Sequence, residues 1–192
     1  MDILTRERKS NYLAANTHAN QHNLKTQRLK LRSSYENCTK EDIERILKKY
    51  NFFNRFRNET RNFSNDFELK TINRDKVVID HTTKLIWHQS GSLEKMDLNK
   101  EWNWKEKLNQ NEYAGYSDWR LPTAAEAASL LKSKNKNTDL FIDPVFDEQQ
   151  KSIWTCDHYS AHSVWCVNFS TGCVRNYNIY YGHYSRPVRS FY

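Results

Sequence analysis

Cys156, His158, His162 and Cys166 fall at spacings that could invite zinc, with His183 able to join them. Thiolates and imidazoles are the usual zinc ligands, but neither a CxxC pair nor an HExxH stretch is present. Scattered polar surface residues are the simpler account, and no metal is expected. No EF-hand loop is found, so calcium is not expected either. Cys166 and Cys173 flank a predicted hairpin and could approach one another, which alone does not make an oxidase. Asp118 and Arg120 can pair, or bind backbone, across the turn that holds them. A catalytic Asp–Arg pair is the sharper reading, but ion pairs in motifs are often architectural. No Ser–His–Asp triad or phosphate loop can be read from the spacing. No catalytic residue and no cofactor are expected.

A different chemistry, recognition, fits the C-terminal segment better. Residues 1–151 hold 35 Lys, Glu and Gln, whereas residues 152–192 hold none. Between Cys156 and Ser185, Tyr, His, Asp, Asn, Ser, Cys and Arg fill 20 of 30 positions. Tyr offers rigid amphipathic contact area, and Ser and Asn offer adaptable hydrogen bonds, as in antibody loops. Depletion of Lys and Glu also suits an interface core. The bland account is a β-rich segment, since strands disfavour Lys and Glu and prefer Tyr.

These residues need elements to position them. Strands are predicted at 153–155, 164–169 and 174–177, with Ser170-Thr171-Gly172 as a hairpin turn and residues 187–190 closing the chain. Trp154, Trp165 and Phe169 should hold this scaffold. Upstream, 76–80 and 85–88 read as two strands joined by residues 81–84. A helix is predicted around 99–110, with Trp102, Trp104 and Leu108 as anchors. Another starts at Thr123, which forms a capping box with Glu126, and buries Ala124, Ala127, Ala128 and Leu131. A further helix spans 39–50. Thr39 and Asp42 cap it, and Ile43, Ile46, Leu47 and Tyr50 form one stripe. Helices followed by antiparallel strands predict an α+β domain.

The net charge is +7, and residues 1–33 carry seven Lys/Arg against two Asp/Glu. That arm is read as a solvated or partner-ordered tail, since no nucleic-acid motif accompanies it. Residues 34–69 are read as a helical extension packing on a main domain at 70–192. No run of eighteen apolar residues occurs, so no membrane span is expected. The first nine residues lack an apolar core and a cleavage site, so a cytoplasmic location is expected.

Several motifs occur in a familiar order: residues 77–87, Ala114-Gly115-Tyr116-Ser117-Asp118-Trp119-Arg120-Leu121-Pro122-Thr123, residues 142–146, Ile153-Trp154-Thr155, residues 164–169 with Gly172, and Arg186-Pro187-Val188-Arg189. In these the chain resembles the family of the C-terminal domain of the Legionella collagen-like adhesin, over about residues 70–192. The resemblance implies a C-type-lectin-like fold related to that of formylglycine-generating enzymes, and binding rather than catalysis. No residue matches the active-site cysteine pair of those enzymes. The adhesin member binds sulfated polysaccharides.

The composition of the last segment also resembles the variable region of proteins diversified by retroelements, which use a C-type-lectin-like fold. Randomising the adenines of an Asn codon yields Tyr, His, Asp, Ser, Cys and Arg, but never Lys, Glu, Gln, Met or Trp.

The expected binding surface comprises Asp157, His158, Tyr159, Ser160, His162, Ser163, Cys166, Asn168, Cys173, Arg175, Asn176, Tyr177, Asn178, Tyr180, Tyr181, His183, Tyr184 and Ser185. Tyr159, Tyr177, Tyr180, Tyr181 and Tyr184 would be its anchors. The partner would be a protein or a glycan. An alternative is an assembly or regulatory module in which residues 1–60 mediate homo-oligomerisation.

Overall fold

A computed structural model describes residues 29–60, 63–134 and 139–191. The reading of residues 1–28 as a tail therefore lies outside the described residues. The rest of that arm does not behave as a tail. Leu29 donates its N–H to the Thr82 carbonyl at 3.0 Å, and Leu31 is buried.

The chain forms α1 (Lys40–Lys49), β1 (Phe67–Ile72), β2 (Asp75–Asp80), β3 (Leu85–His88), α2 (Leu98–Gln110), α3 (Ala124–Ser129), β4 (Ser152–Ser160), β5 (Ser163–Asn168), β6 (Cys173–Asn178) and β7 (Val188–Ser190). It is an α+β fold with two antiparallel sheets, in the orders β1-β2-β3-β7 and β4-β5-β6. No helix among the described residues is long and apolar enough to cross a membrane.

Local chemistry explains the helix starts. The Thr39 hydroxyl accepts from the Asp42 N–H, and the Asp42 carboxylate accepts from the Thr39 N–H at 2.9 Å. Thr123 and Glu126 repeat the arrangement at α3. Each such cap stabilises a helix start by about 1 kcal/mol. Every residue of α3 is buried. Its alanines let it lie between the sheet and α1, where Ala124, Ala125 and Ala128 meet Ile43, Leu47, Phe52 and Trp165. The main core joins Val78, Trp87, Leu130, Leu131, Ile153, Val167 and Phe169, so both sheets contribute to it.

Two expectations change. β1 begins at Phe67, inside the stretch read as a helical extension. It is held by a two-residue turn, Asn73-Arg74, with φ of 50° and 77°. Such a turn matches the twist of a hairpin, but here it lacks the glycine that usually signals it. Trp102, expected as an anchor, is 59% exposed, and Lys105 Nζ lies 3.8 Å from its ring centroid. α2 instead buries Glu101, while Leu108 packs beside Val77 and Trp119.

The charges of the central motif do not pair with each other. Asp118 takes a bidentate bond from Arg189 (2.6 and 3.2 Å), and Arg120 gives one to Glu126 (2.8 and 2.7 Å). One charge thus fixes the last strand and the other fixes the start of α3. Of the two expected arrangements, Asp118–Arg120 pairing gives way because better-placed partners lie on β7 and α3, whereas bonding to backbone is found for Arg120, which donates to the Leu121 carbonyl at 3.2 Å.

Candidate ligand-binding surface

The β4-β5-β6 sheet is covered on both faces. On one, Ile153, Trp165 and Val167 join the clusters that hold α3 and α1. On the other, Trp154, Val164 and Cys166 pack with Leu98, Leu121, Tyr177 and Ile179. What remains open is one end of the sheet and the outer side of β6.

At that open end two turns meet. β4 and β5 are joined by a tight connection, with Ser160 opposite Ser163. Ser163 in turn pairs with Asn178 at the end of β6. Ile179 N–H donates to the His162 carbonyl at 3.1 Å, which ties the second turn to the first. Asn178 shapes the second turn. Its side-chain oxygen accepts from Tyr180 N–H, and its carbonyl accepts from Tyr181 N–H, both at 3.0 Å. Tyr180 and Tyr181 then stand 73% and 63% exposed. Tyr159, Ser160 and His162 are exposed beside them in sequence and register. Tyr159 rests edge-on against Trp165, at 5.6 Å between centroids, so a core residue fixes an exposed ring.

Tyr35 was not foreseen. Its ring meets His158 edge to face at 5.4 Å, and it is 53% exposed. It arrives because residues 36–38 pair with β4. Cys38 N–H donates to the His158 carbonyl at 2.8 Å, and His158 N–H donates to the Glu36 carbonyl at 3.1 Å. Nothing in the local sequence around Tyr35 announces this pairing.

Five expected contact residues are interior instead. Asp157 is fully buried. Its carboxylate accepts from both terminal nitrogens of Arg32 (2.8 and 2.7 Å), from Glu36 N–H (2.9 Å) and from Ala124 N–H (2.8 Å). Burial opposes the Arg32 charge, but the bonds and charge of Asp157 outweigh it and raise the guanidinium pKa. Cys166 lies between Trp154 and Val164, and Cys173 is buried at the start of β6. His183 shares a 2.8 Å hydrogen bond with Ser152 and sits edge-on to Trp154. Burial, and then Lys95, lower its pKa to about 4. Ser185 donates to Glu101 at 2.8 Å. These residues are sealed because β4, β5, the start of β6 and the 183–186 segment run through the core.

The others lie between the extremes. His158, Ser163, Asn168, Asn176, Tyr177, Asn178 and Tyr184 are partly buried. Tyr184 carries Lys95 over its ring at 5.8 Å, and Tyr177 leans on His183 at 4.5 Å. Arg175 is exposed on β6 and lies over Phe56 at 5.7 Å. Tyr177 and Tyr184 are therefore supports more than anchors.

Among the described residues, no group of three or more His, Cys, Asp and Glu gathers as metal ligands would. The four cysteines are free thiols. Burial pushes the Cys38 thiol up to about 11 and Cys156 to about 12, and raises Cys166 well above the ordinary value. Thiols held protonated in this way are poor nucleophiles. Arg186 is fully buried without a carboxylate. One terminal nitrogen donates to the Asp147 carbonyl (3.0 Å) and to Gln150 (3.1 Å), over the Phe146 ring at 4.8 Å. Burial lowers its pKa to about 9, with Asp147 opposing. The Arg186-Pro187-Val188-Arg189 motif is thus a structural anchor.

A search of curated proteins returned no match. A family model, that of the Lcl C-terminal domain, matches residues 76–189. The match runs from the second residue of β2 to the second residue of β7, and so takes in the two turns with Tyr159, Tyr180 and Tyr181. It covers more than half of the 192 residues, and the chain belongs to the Lcl C-terminal domain family.

Proposed function

We propose that this chain is a ligand-binding module with a C-type-lectin-like fold, and not an enzyme. Its ligand would be a macromolecule, protein or glycan, met by the rim at the open end of the β4-β5-β6 sheet. One observation carries this reading. Tyr159, Tyr180 and Tyr181 are exposed among Ser160, His162 and Asn178, on turns whose backbone is fixed by hydrogen bonds. Aromatic rings held at low entropic cost are what interface anchors require. The family's adhesin-like character agrees with it. Two of the concavities on the surface, of about 240 and 360 Å³, are lined by residues such as Phe63 and Lys132, or Glu44 and Arg57, away from the rim. Outstanding rings suit a broad partner better than a small molecule enclosed in a pocket.

The test is a double substitution, Tyr180→Ala with Tyr181→Ala. Ligands captured by the parent domain from protein and glycan arrays should bind the variant at least about tenfold more weakly, as loss of hot-spot aromatics does. Denaturant unfolding should move by no more than about 0.5 kcal/mol. Unchanged binding, or an unfolded variant, would remove the rim from consideration.

A second reading, diversification by a retroelement, is favoured by the exposed positions themselves. Tyr159, Ser160, His162, Arg175, Tyr180 and Tyr181 are all residue types reachable from an adenine-randomised Asn codon. The absence of Lys, Glu and Gln argues less for it, because much of residues 152–169 is buried. Coding DNA decides it: a nearby imperfect repeat differing only at adenines supports diversification, and a locus without one refutes it.

A further inference from the structure

β1 ends the four-stranded sheet, and no strand among the described residues pairs with its outer edge. Its outward backbone groups can be assigned. His81 N–H donates to the Asp66 carbonyl at 2.8 Å, so Asp66 faces β2. Antiparallel strands alternate the direction of their polar groups. Glu68, Lys70 and Ile72 therefore turn N–H and C=O toward β2, and Phe67, Leu69 and Thr71 turn theirs outward. Chains usually blunt such an edge with proline, a bulge or charged side chains, lysine above all. Residues 67–72 contain no proline, and their pairing with β2 runs without a register shift. Leu69 is 52% exposed.

The two charges on this edge are opposite in sign and flank Leu69 symmetrically. We propose that β1 pairs with β1 of a second copy, antiparallel, about a two-fold axis at Leu69. That register sets Leu69 against Leu69 and Phe67 against Thr71, and every outward N–H and C=O of these residues finds a partner. It also sets Glu68 opposite Lys70 twice. The self-complementary charge is what selects a second copy over an unrelated strand. A slip by two residues loses both of these pairs and sets Glu68 against Glu68 in one direction or Lys70 against Lys70 in the other. Glu68 already lies 2.9 Å from His81 Nε2, and both side chains are partly open to water, so the carboxylate can serve the partner's lysine as well. A six-residue strand pair is smaller than a standard interface, so association falls in the micromolar range or weaker. β1 lies outside the residues matched by the family model. It does not rest on the ligand-binding reading, since the rim belongs to the other sheet.

Sedimentation equilibrium of the full chain in the high-micromolar range reads it. The mass should rise from 23.1 kDa toward twice that value with concentration. Glu68→Lys places ammonium groups opposite one another and should weaken association by about tenfold. The charge swap Glu68→Lys with Lys70→Glu should restore it. Leu69→Lys, at an exposed side chain, should abolish it. A constant monomer mass overturns the proposal. So does a dimer that survives both single substitutions, or a charge swap that restores nothing.

Discussion

At one end of the β4-β5-β6 sheet, the hairpin through Ser170, Thr171 and Gly172 is pressed into the fold at Gly172, while Ser170 stays exposed. Gly172 has φ of 68°, its carbonyl accepts from Arg55 N–H at 2.9 Å, and a side chain there would meet the Phe141 ring at 2.8 Å. At the other end, the turns after Tyr159 and Asn178 are bonded to each other and leave their side chains in water. Both ends carry Asn and Ser: Asn168 and Ser170 at one, Ser160 and Asn178 at the other. The difference teaches that composition names a set of side chains, whereas packing decides which of them can touch a partner.

The strongest way to break this contrast is at Asp157, which shares the palette of the exposed end yet is sealed. Asp157→Ala strands the Arg32 guanidinium and two N–H groups. It should cost about 3–5 kcal/mol in denaturant unfolding, as loss of one partner of a buried pair does. A contact role in water would cost almost nothing.

Glu101, bonded to Ser185, gives the next largest effect. Burial raises its carboxyl to about 7, with Ser185 and Lys105 opposing. A carboxyl whose folded pKa is raised contributes fully below about 4.5, and that contribution is lost as pH rises through about 7. Glu101→Gln cannot ionise. The stability difference between variant and parent should therefore widen from pH 4.5 to 7 by on the order of 2–3 kcal/mol, then level off. His88 and His183 act oppositely. Burial lowers their pKa values to about 3 and about 4, with Arg186 and Lys95 adding to it, so their contribution is present above about 6.5 and lost as pH falls. Because they are common to both proteins, they cancel in the difference measured by parallel melts.

At the buried glycine of the Ser170–Gly172 hairpin, Gly172→Ala must take a left-handed backbone and displace Phe141. A loss of about 1–3 kcal/mol is expected by chemical unfolding. The smallest effect belongs to the open end: His162→Lys should shift stability by less than about 0.5 kcal/mol. A large loss there would mean that the turn is core and that the two ends do not differ.

Much of the scaffold was legible in the sequence because its signals are local. The Thr39–Asp42 and Thr123–Glu126 boxes, the strands at 76–80 and 85–88, and the Ser170–Gly172 turn each rest on a few adjacent residues, and each is found. β1 was not legible, because its apolar-polar alternation, Phe67-Glu68-Leu69-Lys70, lasts only four residues and its turn has no glycine. Within the site, the exposed tyrosines at 159, 180 and 181 were legible from composition, but the fate of Asp157, Cys166, Cys173, His183 and Ser185 was not. Their burial depends on partners far away in the chain, as Ser185 on Glu101 shows. Trp102 failed for the converse reason: a large ring on a helix reads as core, yet its helix turns another face inward.

Arg32 and Asp157 are separated by 125 residues. On a ribosome adding about 5–20 residues per second, the arginine waits roughly 6–25 s for its carboxylate to be made. The pairing of residues 36–38 with β4 waits equally long. Other holds on this segment, Leu29 on Thr82 and the α1 stripe on the alanines of α3, precede β4 in the chain, so a nascent chain interrupted before β4 leaves Arg32 without its carboxylate and the α1 stripe without Trp165, and recognition of unfinished chains by chaperones should centre there.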